Sequence, residues 1–137
     1  MTTTSRCFQQ VSNALAEVRE GLAWIDSIKI DDEHYGLVAD GVVKRFEMLF
    51  EYVWKLLKWA AEYQGIEAPG PRPAIQEGVR FGWIKDPEFW VEVLDARNGS
   101  VHDYFGIEIP QYLTLIQRFA TEVERLQQVL QAELHIA

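Results

Sequence analysis

Apolar residues recur at intervals of three and four along almost the whole of this 137-residue chain. That spacing places them on one face of an α-helix, whereas a half-buried strand needs strict alternation of apolar and polar residues. The first series consists of Phe8, Val11, Leu15, Val18, Leu22 and Ile25. The last consists of Leu113, Ile116, Phe119, Val123, Leu126 and Leu130. Because no strand-type alternation competes with these patterns, the sequence predicts an all-α protein.

Residues 33 to about 63 form the longest of these segments and carry the widest apolar surface. One face holds Val42, Phe46, Leu49, Val53, Leu56, Leu57 and Ala60. Phe50, Trp54 and Trp59 add apolar surface on a neighbouring face. A stripe of this width indicates contact with more than one helix or with a second subunit.

Proline and glycine residues mark the ends of the predicted helices. Segment 65–73 is rich in both and is the clearest breaker, and Pro73 is predicted to open a short helix. Asp86 is predicted to cap the next helix, with Pro87 at its first position. A final helix follows Pro110. The predicted architecture is an antiparallel four-helix up-and-down bundle with one extra short helix, in a single domain spanning residues 1–137.

The chain is acidic, with 13 Lys and Arg against 21 Asp and Glu and a formal net charge of −8. A negative protein repels phosphate backbones at long range, which disfavours broad nucleic-acid binding and removes DNA from the expected partners. Any contact with RNA must therefore be local and held by a few arginines. No run approaches the roughly 18 apolar residues of a transmembrane helix, so we expect no membrane contact and a cytoplasmic location.

Candidate metal ligands and thiol nucleophiles are sparse. Cys7 is the single cysteine, and His34, His102 and His135 lie far apart in the chain. The paired spacings typical of zinc sites do not occur, so we expect neither a metal nor another cofactor. Cys7 has no histidine or basic cluster near it in sequence, which argues against a catalytic thiol.

The run from Asp95 to Tyr104 carries the residues best suited to chemistry. Arg97 and His102 are five positions apart, which is about 140° around a regular helix, so they would not face each other within one straight helix. Asn98 would share a face with His102, and Gly99 weakens the helix between the pair. Either the helix distorts there, or a symmetric dimer brings Arg97 of one chain toward His102 of the other.

This set of residue types suits cleavage of an RNA phosphodiester. Histidine transfers protons near neutral pH, and arginine is a permanent cation that stabilises charge developing on a phosphate. The RNA 2′-hydroxyl can serve as the nucleophile, so the reaction needs no metal. Spacing alone, however, is matched by many arginine and histidine pairs that are merely solvated or cap a helix.

The motif and three preceding blocks resemble a known family. Arg97, Asn98 and His102 resemble the Arg-x-x-x-x-His signature of the HEPN superfamily, in which Asn directly follows Arg. Segment 46–55 is similar to the Phe-Glu…Trp-Lys helix of its nucleotidyltransferase substrate-binding branch. Segment 71–84 is similar to the Pro-Arg…Gly-x-Ile block of that branch. Segment 86–90 followed by segment 95–98 matches the next block. The four ordered blocks cover about residues 40–105.

The resemblance implies a specific biology. It implies a helical bundle that forms a homodimer and is encoded with a small MNT-type nucleotidyltransferase, the bundle being a metal-independent ribonuclease toxin and the enzyme its antitoxin. Arg97 and His102 match the catalytic pair, and Asn98 matches the polar residue that accompanies it. Tyr104 completes the variant Arg-x-x-x-x-His-x-Tyr, in which the partner enzyme adds AMP to the tyrosine and silences the toxin.

Two other functions remain open on the sequence alone. The bundle could be a non-catalytic substrate-binding subunit of a separate nucleotidyltransferase, or a scaffold for homodimerisation. Lys55, Arg72 and Arg80 are candidates for holding RNA or the partner, although solvated surface charge would explain them equally well. The five tryptophans are expected to pack in the core or at a dimer surface rather than to stack on bases.

Overall fold

The computed structural model describes residues 3–99 and 108–135, and within these ranges every regular element is an α-helix. The described part of the chain contains five helices: α1 (Thr3–Asp26), α2 (Tyr35–Tyr63), α3 (Pro71–Arg80), α4 (Pro87–Gly99) and α5 (Ile109–Glu133). The predicted all-α class is confirmed, and so is the extra short helix, which is α3. Within the described ranges, no helix combines the length and the hydropathy needed to cross a membrane.

Helix α2 lies at the centre of the packing. It contacts α1, α3 and α5, which explains the wide apolar surface seen in its sequence. Its buried residues are Ala39, Val42, Val43, Phe46, Leu49, Phe50, Val53, Leu56, Leu57, Ala60 and Ala61. Covering an apolar surface from several sides removes it from water, which is the main favourable contribution to folding.

An aromatic cluster centred on Phe119 joins three of the helices. The Phe119 ring of α5 lies 5.6 Å from the ring centroid of Phe46 and 6.2 Å from that of Phe50, both on α2. The Trp90 ring of α4 lies 5.3 Å from it in an edge-on arrangement. Aromatic pairs with this geometry are favourable beyond the area they bury. The cluster therefore fixes the position of α4 relative to α2 and α5.

The start of α3 differs from the predicted one by two residues. The helix begins at Pro71 and not at Pro73, with the extended Gly70 as its N-terminal cap. The first amide groups of a helix have no acceptor within it, so a proline costs no hydrogen bond at the first or the third position. Both prolines therefore fit in the first turn, and the earlier one sets its start.

The predicted start of α4 is confirmed. The Phe89 amide donates a hydrogen bond to Asp86 Oδ1 at 3.2 Å, and Pro87 is the first residue of the helix. Arg118 of α5 donates to the other carboxylate oxygen of Asp86 and lies 3.9 Å from the Phe89 ring centroid. One carboxylate thus caps α4 and ties it to α5. Helix α5 itself begins at Ile109, one residue before Pro110.

Replacing Gly78 by alanine should destabilise the fold. A Cβ at this buried position of α3 would lie 2.8 Å from Ile84 Cδ1 and 3.2 Å from Leu57 Cδ2. We expect a loss of about 1–3 kcal/mol in the free energy of unfolding, because both neighbours are buried and must shift. Urea denaturation of the variant followed by circular dichroism measures it.

The control for this measurement is Gly41→Ala in α2, where nothing lies within 4 Å of the added Cβ. Alanine is the better helix former, so this variant should gain up to about 1 kcal/mol. Equal effects of the two substitutions would contradict the close packing assigned to Gly78.

Candidate functional site

The motif predicted from the sequence begins in the last turn of α4. Arg97 and Asn98 lie in that turn, and the helix remains regular through Gly99. His102 and Tyr104 lie outside the described residues. The structure therefore gives the surroundings of the arginine, whereas its predicted approach to the histidine stays a prediction.

Arg97 forms an ion pair with a carboxylate in the middle of α2. Its Nη2 donates a hydrogen bond to Glu51 Oε1 at 2.8 Å. The two side chains are only 27% and 34% exposed, so the pair is screened by solvent less than a surface ion pair would be. Removing one partner from such a pair leaves the other poorly compensated. The guanidinium is consequently held against α2.

A third residue holds the same carboxylate. The Trp54 indole Nε1 donates to Glu51 Oε2 at 3.0 Å, from one turn further along α2. Each oxygen of Glu51 therefore accepts a hydrogen bond from a different side chain. We call Glu51, Trp54 and Arg97 the Glu51 cluster.

A contact from α5 fixes the end of α4 just before Arg97. The buried Tyr112 hydroxyl donates to the backbone carbonyl of Ala96 at 2.9 Å. The carbonyls in the last turn of a helix have no amide partner within it, so this bond satisfies one of them. The Tyr112 ring packs edge-on against Phe46 of α2, with centroids 5.7 Å apart. Residues of α2 and α5 together determine where Arg97 points.

The three weaker candidates for binding RNA or a partner lie in different surroundings. Lys55 is exposed beside the Glu51 cluster, with its ammonium 6.0 Å from the Trp54 ring centroid. Arg72 is exposed in the first turn of α3. Arg80 pairs with Glu77 of its own helix at 2.6 Å and lies over the Phe81 ring. Of the three, Lys55 is the residue that lies beside a member of the Glu51 cluster, Trp54.

The sequence did not indicate a functional role for Glu51, and it indicated only a packing role for Trp54. Both lie in the segment that resembles a family block, and their spacing of three puts them on one helical face. That spacing could have indicated a local hydrogen bond. The ion pair with Arg97 spans 46 positions, and no periodicity in the sequence indicates such a contact.

The tryptophans divide into packed and exposed residues. Trp83 and Trp90 are buried and Trp54 and Trp59 are partly covered, as expected. Trp24 differs, because 63% of its surface is exposed on α1. It lies beside a shallow groove of about 200 Å³ between α1 and α2.

The remaining titratable candidates do not add a second site within the described ranges. No group of three or more histidine, cysteine, aspartate or glutamate residues there is arranged to hold a metal ion. Burial raises the pKa of the Cys7 thiol, and the neighbouring Arg6 opposes this shift only in part. A raised pKa lowers the fraction of reactive thiolate, which agrees with the expectation that Cys7 is not a nucleophile.

Comparisons with known proteins identify relatives over most of the chain. A family model described as "Nucleotidyltransferase substrate binding protein like" matches residues 6–132. This match confirms the resemblance to the substrate-binding branch of the HEPN superfamily, although it does not test the Arg/His motif. A Haemophilus influenzae protein named "Probable ribonuclease HepT" is 32% identical over 69 residues, which cover 47% of each chain. The match thus spans about half the length of that relative.

A solved structure supports the fold independently. A crystal structure of a protein from Thermus thermophilus superposes on this chain with a TM-score of 0.64 and 22% sequence identity. The superposition covers 82% of this chain and 98% of that one. At this identity the likeness concerns the helical fold alone.

The reactivity of Cys7 with iodoacetamide should be low at neutral pH. Because burial raises the pKa of its thiol, the thiolate forms at higher pH in the folded chain than in the unfolded one. The rise of the alkylation rate with pH should therefore occur at higher pH in the native protein than in protein unfolded in urea. Mass spectrometry of samples quenched over time measures both rates. Coinciding pH profiles would contradict the burial effect.

Proposed function

The chain belongs to the nucleotidyltransferase substrate binding protein like family, and from that premise we propose that it is a metal-independent RNA endonuclease. In this proposal it is the cytoplasmic toxin of a toxin–antitoxin pair whose antitoxin is a small MNT-type nucleotidyltransferase. The observation that carries the proposal is the placement of Arg97. A permanent cation with restricted motion, at the start of an Arg/His motif, is what stabilisation of a reacting phosphate requires.

The proposed reaction uses the 2′-hydroxyl of the RNA. His102 of one protomer removes the proton of the 2′-hydroxyl while the 2′-oxygen bonds to the adjacent phosphorus. Arg97 stabilises the negative charge that develops on the phosphate oxygens. The bond from phosphorus to the 5′-oxygen breaks, and a second protonated histidine gives that oxygen a proton. The products are a 2′,3′-cyclic phosphate and a 5′-hydroxyl. A homodimer would supply both histidines, and Asn98 would orient one of them or a phosphate oxygen.

The relative named as a probable ribonuclease supports ribonuclease activity in general. The charge of the chain limits how RNA is held. With a net charge of −8, the protein attracts RNA poorly at long range. Binding must depend on close contacts near Arg97. We propose that Lys55, whose ammonium lies 6.0 Å from the Trp54 ring centroid, contributes one of them. Arg72 and Arg80 are assigned a weaker part in holding RNA or the antitoxin.

We propose further that the antitoxin silences the site through Tyr104. The phenol of Tyr104 would lose its proton to solvent as its oxygen bonds to the α-phosphorus of ATP on the nucleotidyltransferase. The bond from that phosphorus to the bridging oxygen would break, pyrophosphate would leave, and AMP would remain on the tyrosine. An added nucleotide is bulky and anionic. Two residues from His102, it would block the groove of the proposed dimer in which RNA is cleaved, and it would compete with RNA phosphate for Arg97.

A second function is favoured by a specific observation. The description of the matching family names substrate binding for a nucleotidyltransferase, and an acidic surface suits a basic protein partner better than RNA. In this alternative the chain performs no chemistry, and Arg97 binds the phosphate of a nucleotide or contributes to the partner interface. Loss of nucleotide or partner binding in Arg97→Ala, with no RNase activity in the wild type, would favour it.

The purified chain should cleave total cellular RNA in the presence of EDTA. Arg97→Ala and His102→Ala should each lower the cleavage rate by about 100-fold or more, because each removes a group acting on the transition state. Sequencing methods that capture 2′,3′-cyclic phosphate ends measure the products. Expression of the wild type without its partner should arrest growth, and His102→Ala should relieve the arrest.

The matched control is His34→Ala, which removes an exposed histidine from the turn before α2 and should leave cleavage unchanged. RNA that stays intact with the wild type would refute the nuclease function. Cleavage that disappears in EDTA would refute the metal-independent mechanism.

Co-expression with the cognate nucleotidyltransferase should increase the mass of the chain by whole AMP units. Tyr104→Phe should abolish the increase, because the acceptor hydroxyl is lost, whereas the exposed Tyr63→Phe should retain it. Intact-mass spectrometry makes the comparison. An unchanged wild-type mass in the presence of an active partner enzyme rules out this switch.

A further inference from the structure

We propose that Glu51, steadied by Trp54, is the positioning residue that fixes the Arg97 guanidinium for contact with a phosphate. The inference rests on the proposed function for its reaction, and it extends that function to α2, outside the Arg/His motif. It starts from the two hydrogen bonds of 2.8 Å and 3.0 Å that converge on one carboxylate. Glu51 would touch neither the RNA nor the reacting atoms and would act through Arg97.

The geometry distinguishes positioning from simple attraction. An arginine side chain has several rotatable bonds, and one anchored nitrogen removes much of that freedom before a ligand arrives. A guanidinium carries five N–H donors in a rigid plane, so a carboxylate on one edge sets the direction of the others. The Tyr112 hydrogen bond to Ala96 fixes the backbone just before Arg97, while Glu51 fixes the far end of its side chain.

The electrostatic effect of Glu51 points the same way. A carboxylate at this distance offsets much of the positive potential that Arg97 would present to a distant polyanion. In a chain with a net charge of −8, such a partner makes long-range capture of RNA weaker still. The benefit of the pair must therefore lie in orientation at close range. Its loss should affect the rate of the bound complex more than the formation of that complex.

Trp54 has a separate part in this arrangement. Its indole N–H occupies Glu51 Oε2, which stops the carboxylate from turning away from Arg97. Glutamine at position 51 has a single carbonyl oxygen, so it can accept from either Arg97 or Trp54 while its own N–H group faces the other donor. Glu51→Gln should consequently disturb the site although it is nearly isosteric.

The experiment compares RNA cleavage by wild type, Glu51→Gln, Glu51→Ala and Trp54→Phe. We expect the two Glu51 variants to lower kcat by about 10- to 100-fold with a smaller change in KM, as for a misplaced catalytic group. Trp54→Phe keeps the aromatic bulk and removes only the N–H, so its decrease should be smaller. Glu47→Gln removes the same charge from α2 one turn earlier and should match the wild type.

A second readout is independent of catalysis. The side-chain ¹⁵N–¹H signals of Arg97, identified by their absence in Arg97→Lys, report how restrained the guanidinium is. We expect signals protected from solvent exchange in the wild type and in Glu47→Gln, and averaged or lost in Glu51→Gln. Circular dichroism and the melting temperature of each variant show whether it folds.

The outcomes separate this inference from the proposed function. A wild type that cleaves RNA, with folded Glu51 variants of equal kcat, overturns the positioning role and leaves the nuclease function standing. A wild type that cleaves no RNA refutes the nuclease function, and titration of AMP then decides the role of Glu51. Weaker AMP binding in Glu51→Gln, but not in Glu47→Gln, supports positioning. Equal AMP affinity of Glu51→Gln and Glu47→Gln overturns the positioning role of Glu51.

Discussion

The need to cover α2 determines the arrangement of the other helices. This helix carries apolar residues around much of its circumference. A single neighbouring helix would shield only part of them from water. Helices α1, α3 and α5 each cover a portion. The carboxylate of Glu51 on α2 is 34% exposed, so it is partly removed from water and is stabilised by donors from the protein.

The aromatic cluster turns this packing into a defined geometry at the candidate site. Phe119 contacts rings of α2 and α4 at once, so the two helices cannot slide independently along α5. Asp86 secures the beginning of α4 and Tyr112 secures its end. Arg97 can therefore meet Glu51 without a long or adaptable connection, since both are carried by packed helices.

The sequence was sufficient for the helices and insufficient for their tertiary contacts. Periodicity and proline spacing predicted all five helices, because these signals act within a few residues. The prediction that α3 starts at Pro73 was wrong. A helix tolerates proline at several positions of its first turn, and Pro71 comes earlier. Arg97 and Asn98 could be selected as candidate site residues from a local motif. The Arg97–Glu51 contact could not, because it depends on how α4 docks on α2.

The Arg97–Glu51 ion pair between α4 and α2 also has a consequence for how related sequences diverge. A related chain that lost Arg97 alone would keep a half-buried carboxylate without the cation that pairs with it. A chain that lost Glu51 alone would remove an acceptor of the Arg97 Nη2 hydrogen bond. Either single step is penalised, so positions 51 and 97 should change together during evolution. Under the proposed function, related chains that have lost the activity are expected to have lost both charges together.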